Sequence, residues 1–388
     1  MRGIRIGSAF GIPVRLDLTF LLVLPLFAWL IGTDLASQVD VIGRVFGVAL
    51  PREALTAGGL RWVLGAAAAV GLFACVLLHE FGHSLVAMRY GYGIDSITLW
   101  LFGGVARFAE IPENWRHEFV IAVAGPVVSV GLGALSAAAF LALPAGLAAA
   151  RFVLGYLAIV NVVLAAFNML PGFPMDGGRV LRALLARSMP HARATQIAAE
   201  VGKGFAILLG LFGLFANLFL VALAFFIYIG ASGEAQQTAM RAAFEGVSVR
   251  DVMTREADLE TVPADLSVAD LLERMFRQRH TGYPVVRDGQ LVGVVTLEDA
   301  REVREVEREA FTVADVMTGD VESISPDADA MDALQAMQQS GVGRLPVVED
   351  GDLVGLISRT DLMTAFDIIQ SRGVGRDSGS APGLTSGR

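Results

Sequence analysis

The chain has 388 residues, 54% of them hydrophobic and only 18% charged, and its mean hydropathy is +0.58. These values exclude an ordinary soluble globular protein and point to an integral membrane protein. The charge is uneven: residues 1–232 carry 15 basic and 11 acidic side chains, residues 233–388 carry 15 and 28. A membrane-embedded part is therefore followed by an acidic soluble part, which is a poor match for nucleic acid.

In chain order, residues 1–17 are expected to form a short cytosolic lead-in carrying Arg2, Arg5 and Arg15. The first apolar run, 18–32, is interrupted by Pro25, and no small-residue cleavage signal follows it, so it is expected as a retained span and not a signal peptide. Residues 33–61, with Asp34, Asp40, Arg44, Arg52 and Glu53, are expected as an exposed connection. Trp62 opens a second span running to about Tyr90, with both aromatic residues suited to membrane interfaces. The lone cysteine, Cys75, lies inside it as a small core residue, so neither an intrachain disulfide nor a Cys-based metal site is available.

This second span holds His79-Glu80-Phe81-Gly82-His83. Residues four apart share a helix face, so His79 and His83 can grip one metal ion while Glu80 takes a proton from water beside it. Chance HExxH matches fall mostly on solvated helices, whereas here three ionisable groups sit in an apolar run, where such groups usually face a site or a cavity. His79 lies about 25 Å along the helix from Trp62 at 1.5 Å per residue, toward the Arg-rich end of the span.

Residues 94–108, β-branched and aromatic with a Gly103-Gly104 break, are expected as a short hairpin or re-entrant loop. Spans follow at 119–143, containing Ala124-Gly125-Pro126, and at 152–170, containing Asn161 and Asn168. Next come the turn Pro171-Gly-Phe-Pro-Met-Asp176-Gly-Gly-Arg179 and a helix bearing Arg182 and Arg187. Residues 203–231 are apolar again and are best split into two spans hinged near Asn217, which gives six spans with Arg-rich connections inside. A catalytic zinc needs a third protein ligand. The residues themselves leave Asp176, just past a span on the motif's side, and Glu110, Glu113 and Glu118, outside the spans, as candidates, while Asp176-Gly-Gly also reads as a plain turn.

The acidic part repeats itself. Val249-Arg-Asp-Val-Met-Thr254 returns as Val313-Ala-Asp-Val-Met-Thr318, and the segment from Tyr283 to Asp299 returns as 345–361. Each unit reads as helix, strand, Asp-Gly turn, strand, helix. A solvated helix over 298–309 is expected between them, with His280 on a surface turn and Met253, Met317 and Met331 in the core. The domain reading is a membrane core at 1–232, a linker at 233–246, repeats at 247–308 and 309–372, and a disordered tail at 373–388.

Taken in order, HEFGH in a span, the Gly103-Gly104 loop, Ala124-Gly125-Pro126 and Asn168-Met-Leu-Pro171 followed by Asp176-Gly177-Gly178 resemble the site-2 protease family of intramembrane zinc metalloproteases over roughly residues 10–231. The resemblance implies zinc held by His79, His83 and Asp176, Glu80 as the acid and base, and Asn168 and Pro171 in contact with a membrane-spanning protein substrate inside the lipid bilayer. The repeats resemble paired CBS domains. That implies an adenine nucleotide such as ATP or AMP near Thr296, Asp299, Ser358 and Asp361, and a homodimer through the pair. Plain helix capping explains the same Ser/Thr-x-x-Asp spacing. The fold class expected is a polytopic α-helical membrane protein of about six spans with a C-terminal α/β CBS pair. It would lie in the cell membrane with its N-terminus and CBS module cytosolic. A CBS-regulated transporter or a catalytically inactive scaffold is the alternative; Glu80→Gln separates them, since transport or scaffolding would survive it.

Overall fold

The computed structural model describes residues 3–100, 103–108, 112, 114–319 and 321–377. Two compact units divide between Thr238 and Ala239.

The first unit opens with strands β1 (Ile4–Ala9) and β2 (Ile12–Leu16), followed by helices α1 (Phe20–Thr33), α2 (Leu35–Phe46), α3 (Arg52–Thr56) and α4 (Leu60–Arg89). Strands β3 (Ile94–Trp100) and β4 (Gly103–Phe108) precede α5 (Trp115–Ala142), α6 (Ala148–Asn168), α7 (Asp176–Ala186), α8 (His191–Ala216) and α9 (Leu218–Phe244). Helices α4, α5, α6, α8 and α9 are each long and apolar enough to cross a membrane, and the pair α1 and α2, bent by 70°, makes a sixth if taken as one broken span. At 1.5 Å per residue the 30 residues of α4 span about 45 Å, so the helix crosses a hydrocarbon core of about 30 Å with length to spare. Asn217 adopts an extended backbone and breaks α8 from α9.

Near the start of the first unit, two stretches differ from the sequence-based expectation. Within the short lead-in expected at the start, the described residues from Gly3 onward build a sheet: β1 and β2 form a hairpin, β2 runs parallel to β3 with Val14 opposite Ile97, and β4 completes the order β1-β2-β3-β4. Ile12 and Val14 are buried beneath it with Phe81 and Ile97. Residues 33–61 are not simply an exposed connection. Helix α2 places Leu35, Val39 and Ile42 on one face, and these join Phe140 and Phe152 in a common core.

The second unit contains α10 (Val249–Val252), β5 (Thr254–Arg255), β6 (Val262–Pro263), α11 (Val268–Gln278), β7 (Gly282–Arg287), β8 (Gln290–Thr296) and α12 (Leu297–Glu302). Its second half repeats the plan with α13 (Val313–Val316), α14 (Ala330–Ser340), β9 (Arg344–Glu349), β10 (Asp352–Ser358) and α15 (Arg359–Asp377). Asp288-Gly289 and Asp350-Gly351 all have positive φ, the geometry of a type I′ turn, which matches the twist of the hairpins they close. The two repeats build separate cores, one around Leu271, Tyr283 and Val295 and one around Phe244, Leu345 and Ile357.

The helix expected over 298–309 stops at Glu302, and a 3-10 turn over Glu305–Glu307 follows. His280 is exposed between α11 and β7, with its ring 5.6 Å from Tyr283. The residues read as a linker, 233–246, continue α9 as far as Phe244. Of those read as a disordered tail, 373–377 finish α15, and 378–388 lie outside the described residues.

Candidate metal centre

Helix α4 carries His79 and His83 one turn apart, both buried, and their rings meet edge to face with centroids 4.8 Å apart. Helix α5 runs against them and presents a stripe four residues apart: Ile121, Gly125 and Ser129. The Ile121 carbonyl accepts from His83 Nδ1 at 2.7 Å, and Ser129 Oγ lies 2.9 Å from His79 Nδ1. A carbonyl only accepts, so His83 donates from Nδ1, and a neutral ring then keeps a lone pair on Nε2. Gly125 lies between these two contacts. A side-chain carbon there would overlap His83 Nε2 and stand 2.6 Å from His79 Nε2, so only glycine leaves room for what the imidazoles face.

The third group arrives from far along the chain. Asp176 is the first residue of α7, and its Oδ2 lies 3.2 Å from His79 Nε2 and 3.3 Å from His83 Nε2, while the two Nε2 atoms are 3.1 Å apart. The turn before it is held by close backbone packing. Any side chain on Gly177 would stand 2.5 Å from Met169 O, one on Gly178 2.5 Å from Gly172 C, and one on Gly172 2.5 Å from Gly202 Cα on α8. Phe173 is buried against Ala198, Ala199 and Ala231.

Three potential ligand atoms converge in a triangle with sides of 3.1 to 3.3 Å, a spacing that suits either a shared proton or a bound cation. Tetrahedral zinc with bonds of about 2.0–2.1 Å sets its ligands roughly 3.3 Å apart, so the donor set and its spacing fit that ion. Among the described residues this is the one cluster of three or more potential ligands. Glu118, a competing candidate, is elsewhere: it is buried and bonded to Arg182 at 2.5 Å. Glu110 and Glu113 lie outside the described residues.

Glu80 is half-buried next to His79 and lies against β4. A side-chain carbon on Gly104 would overlap Glu80 Cγ and stand 2.9 Å from its Cδ. Gly104→Ala is expected to displace this carboxylate by about 1 Å without touching His79, His83 or Asp176. Asn168 is half-buried at the end of α6, and Pro171 is exposed in the turn that leads to Asp176.

The other predicted residues sit in the second unit. Thr296 caps α12, with Asp299 Oδ2 accepting from its amide and hydroxyl, and Ser358 with Asp361 does the same for α15. A cleft of about 1100 Å³ between the repeats is lined by Thr281, Thr296, Arg301, Thr318, Glu322 and Arg344 among others, so Thr296 faces it while Asp299, Ser358 and Asp361 are absent from its lining. Arg344 spans the repeats, donating to Gly282 O at 2.6 Å and Thr281 Oγ1 at 3.0 Å, and burial lowers its pKa from the ordinary arginine value. Sequence reasoning missed Ile121, Ser129 and the steric role of Gly125. Their signal was the four-residue spacing around the Ala-Gly-Pro motif, which puts all three on the α5 face toward the histidines.

Fold and site together give a polytopic helical membrane protein in which two histidines and an aspartate converge with a glutamate beside them, a donor set that could hold a metal ion and that suits a metalloprotease. Known proteins agree. The profile described as Peptidase family M50 matches residues 67–148 and 144–211, and the CBS domain profile matches 249–305 and 313–368. Zinc metalloprotease MJ0392 of Methanocaldococcus jannaschii is 34% identical over 362 residues, covering 92% of this chain and 94% of its own. Rip3 of Mycobacterium tuberculosis is 34% identical over 375 residues, covering 92% and 91%. A solved site-2 protease from Methanocaldococcus jannaschii has 33% sequence identity and a TM-score of 0.42, covering 60% of this chain and 95% of that one. The chain belongs to the site-2 protease family of zinc metalloproteases, peptidase family M50, and also carries two CBS domains.

Proposed function

We propose that this protein hydrolyses peptide bonds in or near the transmembrane segments of other proteins, with His79, His83 and Asp176 holding zinc and Glu80 moving the proton. The observation that carries this reading is the convergence of three ligand atoms 3.1 to 3.3 Å apart beside Glu80, on a helix apolar enough to span a membrane. Zinc bound there supplies Lewis acidity, polarising the scissile carbonyl and lowering the pKa of water toward about 7. Glu80 takes the proton from the attacking water and returns it to the departing amine, two roles one carboxylate serves in sequence. The Asn168 amide is a candidate donor to the developing oxyanion.

A helical substrate hides its carbonyls in its own hydrogen bonds, so the cleaved segment must unwind. β4 is the edge strand of its sheet and runs beside Glu80, so an unwound segment pairing with that edge would bring its backbone to the carboxylate. With the bent pair α1 and α2 counted as one span the total is six, which puts both ends of the membrane part on one side, and the Arg-rich connections favour the cytosol. Purified full-length protein is expected to contain one zinc per chain and to cut a subset of a panel of membrane segments. A metal-free, fully folded preparation would end the protease reading.

The CBS pair is proposed to regulate this activity by taking an adenine nucleotide into the cleft that Thr296 lines. Arg301 and Arg344 offer cationic donors there, and Glu298 and Glu322 limit how much phosphate charge is welcome. Thr296→Val is expected to weaken AMP or ATP binding about tenfold through the loss of one hydrogen bond, measured by calorimetry on the full chain. Equal affinity of the variant, or no heat with the unaltered protein, counts against a nucleotide at this position.

A further inference from the structure

Away from the three converging ligand atoms, one side chain ties α7, which carries Asp176, to α5 and α9. Arg182 on α7 is buried; its Nε donates to Glu118 on α5 at 2.5 Å, and its Nη1 donates to Glu234 on α9 at 2.7 Å. Its guanidinium also lies over the Phe173 ring, 4.9 Å from the centroid, in the turn that leads to Asp176. We infer that Arg182, gripped by Glu118 and Glu234, is a positioning residue that sets the Asp176 carboxylate against the two imidazoles.

The geometry gives each partner a distinct part. Glu118 lies in the first turn of α5, the same helix whose Ile121 and Ser129 orient the histidines. Bonding Arg182 to Glu118 therefore fixes α7 relative to the structure that aims the rings. Asp176 and Arg182 are six residues apart on one short helix, about 9 Å along its axis, so a shift at Arg182 is carried to Asp176 by a rigid segment. Glu234 holds the second arm of the guanidinium, and Pro174 rests on the same helix, α9, at Gly230. A buried ion pair is weak as a stabilising device, because desolvation offsets most of its attraction; its strength is geometric, since a planar guanidinium with two carboxylates admits one arrangement.

This inference rests on the proposed metal site, and its test does not depend on proteolysis alone. Glu234 is partly exposed, with its side chain 31% accessible, so Glu234→Gln is expected to fold normally. Arg182→Lys keeps the charge but replaces the fork by one ammonium. Both full-length variants are loaded with zinc or cobalt in detergent. The expected result is zinc loss to a chelator accelerated 10- to 100-fold, altered visible absorption of the cobalt form, and a lower kcat at unchanged KM, with Glu234→Gln melting as the unaltered protein does. Should Arg182→Lys fail to fold, Glu234→Gln decides alone. A cobalt spectrum and zinc-loss rate identical to the unaltered protein in folded Glu234→Gln overturns the assignment. Zinc loss altered in the variants of a protein that cuts no membrane segment would instead sink the proteolytic reading and leave the positioning role standing.

Discussion

Replacing Glu80 by glutamine is expected to lower peptide-bond hydrolysis by about a thousandfold, within the range that a positioned general base contributes. The amide has the same shape as the carboxylate and accepts no proton at neutral pH, so water at the metal would lose its proton acceptor while everything around it keeps its place. Glu80 contributes none of the three converging ligand atoms, which belong to His79, His83 and Asp176. Zinc content and melting temperature should therefore match the unaltered protein. Single-turnover cleavage of a membrane segment, read beside metal analysis of the same sample, checks this. A variant that retains a tenth of the normal rate with full zinc would remove Glu80 from the proton transfer.

Gly125→Ala should be as damaging by a different route. The added methyl would overlap His83 Nε2 and stand 2.6 Å from His79 Nε2, inside the space that the three ligands enclose. Relief requires α4 and α5 to separate or both rings to rotate, and rotation breaks the bonds to Ile121 O and Ser129 Oγ. Zinc tolerates errors of only about 0.2 Å in its bonds, so the variant is expected to purify with less than about a tenth of the normal metal and without activity. Gly131 on the same helix has open space where a methyl would go, so Gly131→Ala is the matched control and should retain both. Normal zinc in Gly125→Ala would show that the rings and helices yield more easily than their packing implies.

Local signals were legible in the sequence; long-range pairings were not. HExxH announces two imidazoles on one helix face because helical periodicity is local, and Asp288-Gly289 and Asp350-Gly351 announce their hairpins because the turn residues alone set the strand twist. The four-stranded sheet was hidden. Its decisive contact pairs Val14 with Ile97 across more than eighty residues, and nothing near Val14 specifies such a partner. Helix α2 was masked by composition: Asp40 and Arg44 dominate the reading of 33–61, yet Leu35, Val39 and Ile42 carry the buried face. At the metal centre, sequence placed Asp176 beside Glu110, Glu113 and Glu118 as a possible third ligand. The family resemblance pointed to Asp176, and the structure sets it 3.2 Å from His79 Nε2 while Glu118 is spent on Arg182.

The glycine contacts in the seam that seats residues 169–178 are with main-chain atoms: Gly172 meets Gly202 and Gly178, while Gly177 meets the carbonyls of Met169 and Leu170. Every amino acid carries those atoms, so a bulkier residue on one side cannot be answered by a smaller one on the other. Genetic searches for second-site suppressors of a Gly172, Gly178 or Gly202 replacement should come back nearly empty, whereas defects in the α2 core, which is made of side chains, should be open to rescue by compensating changes in size.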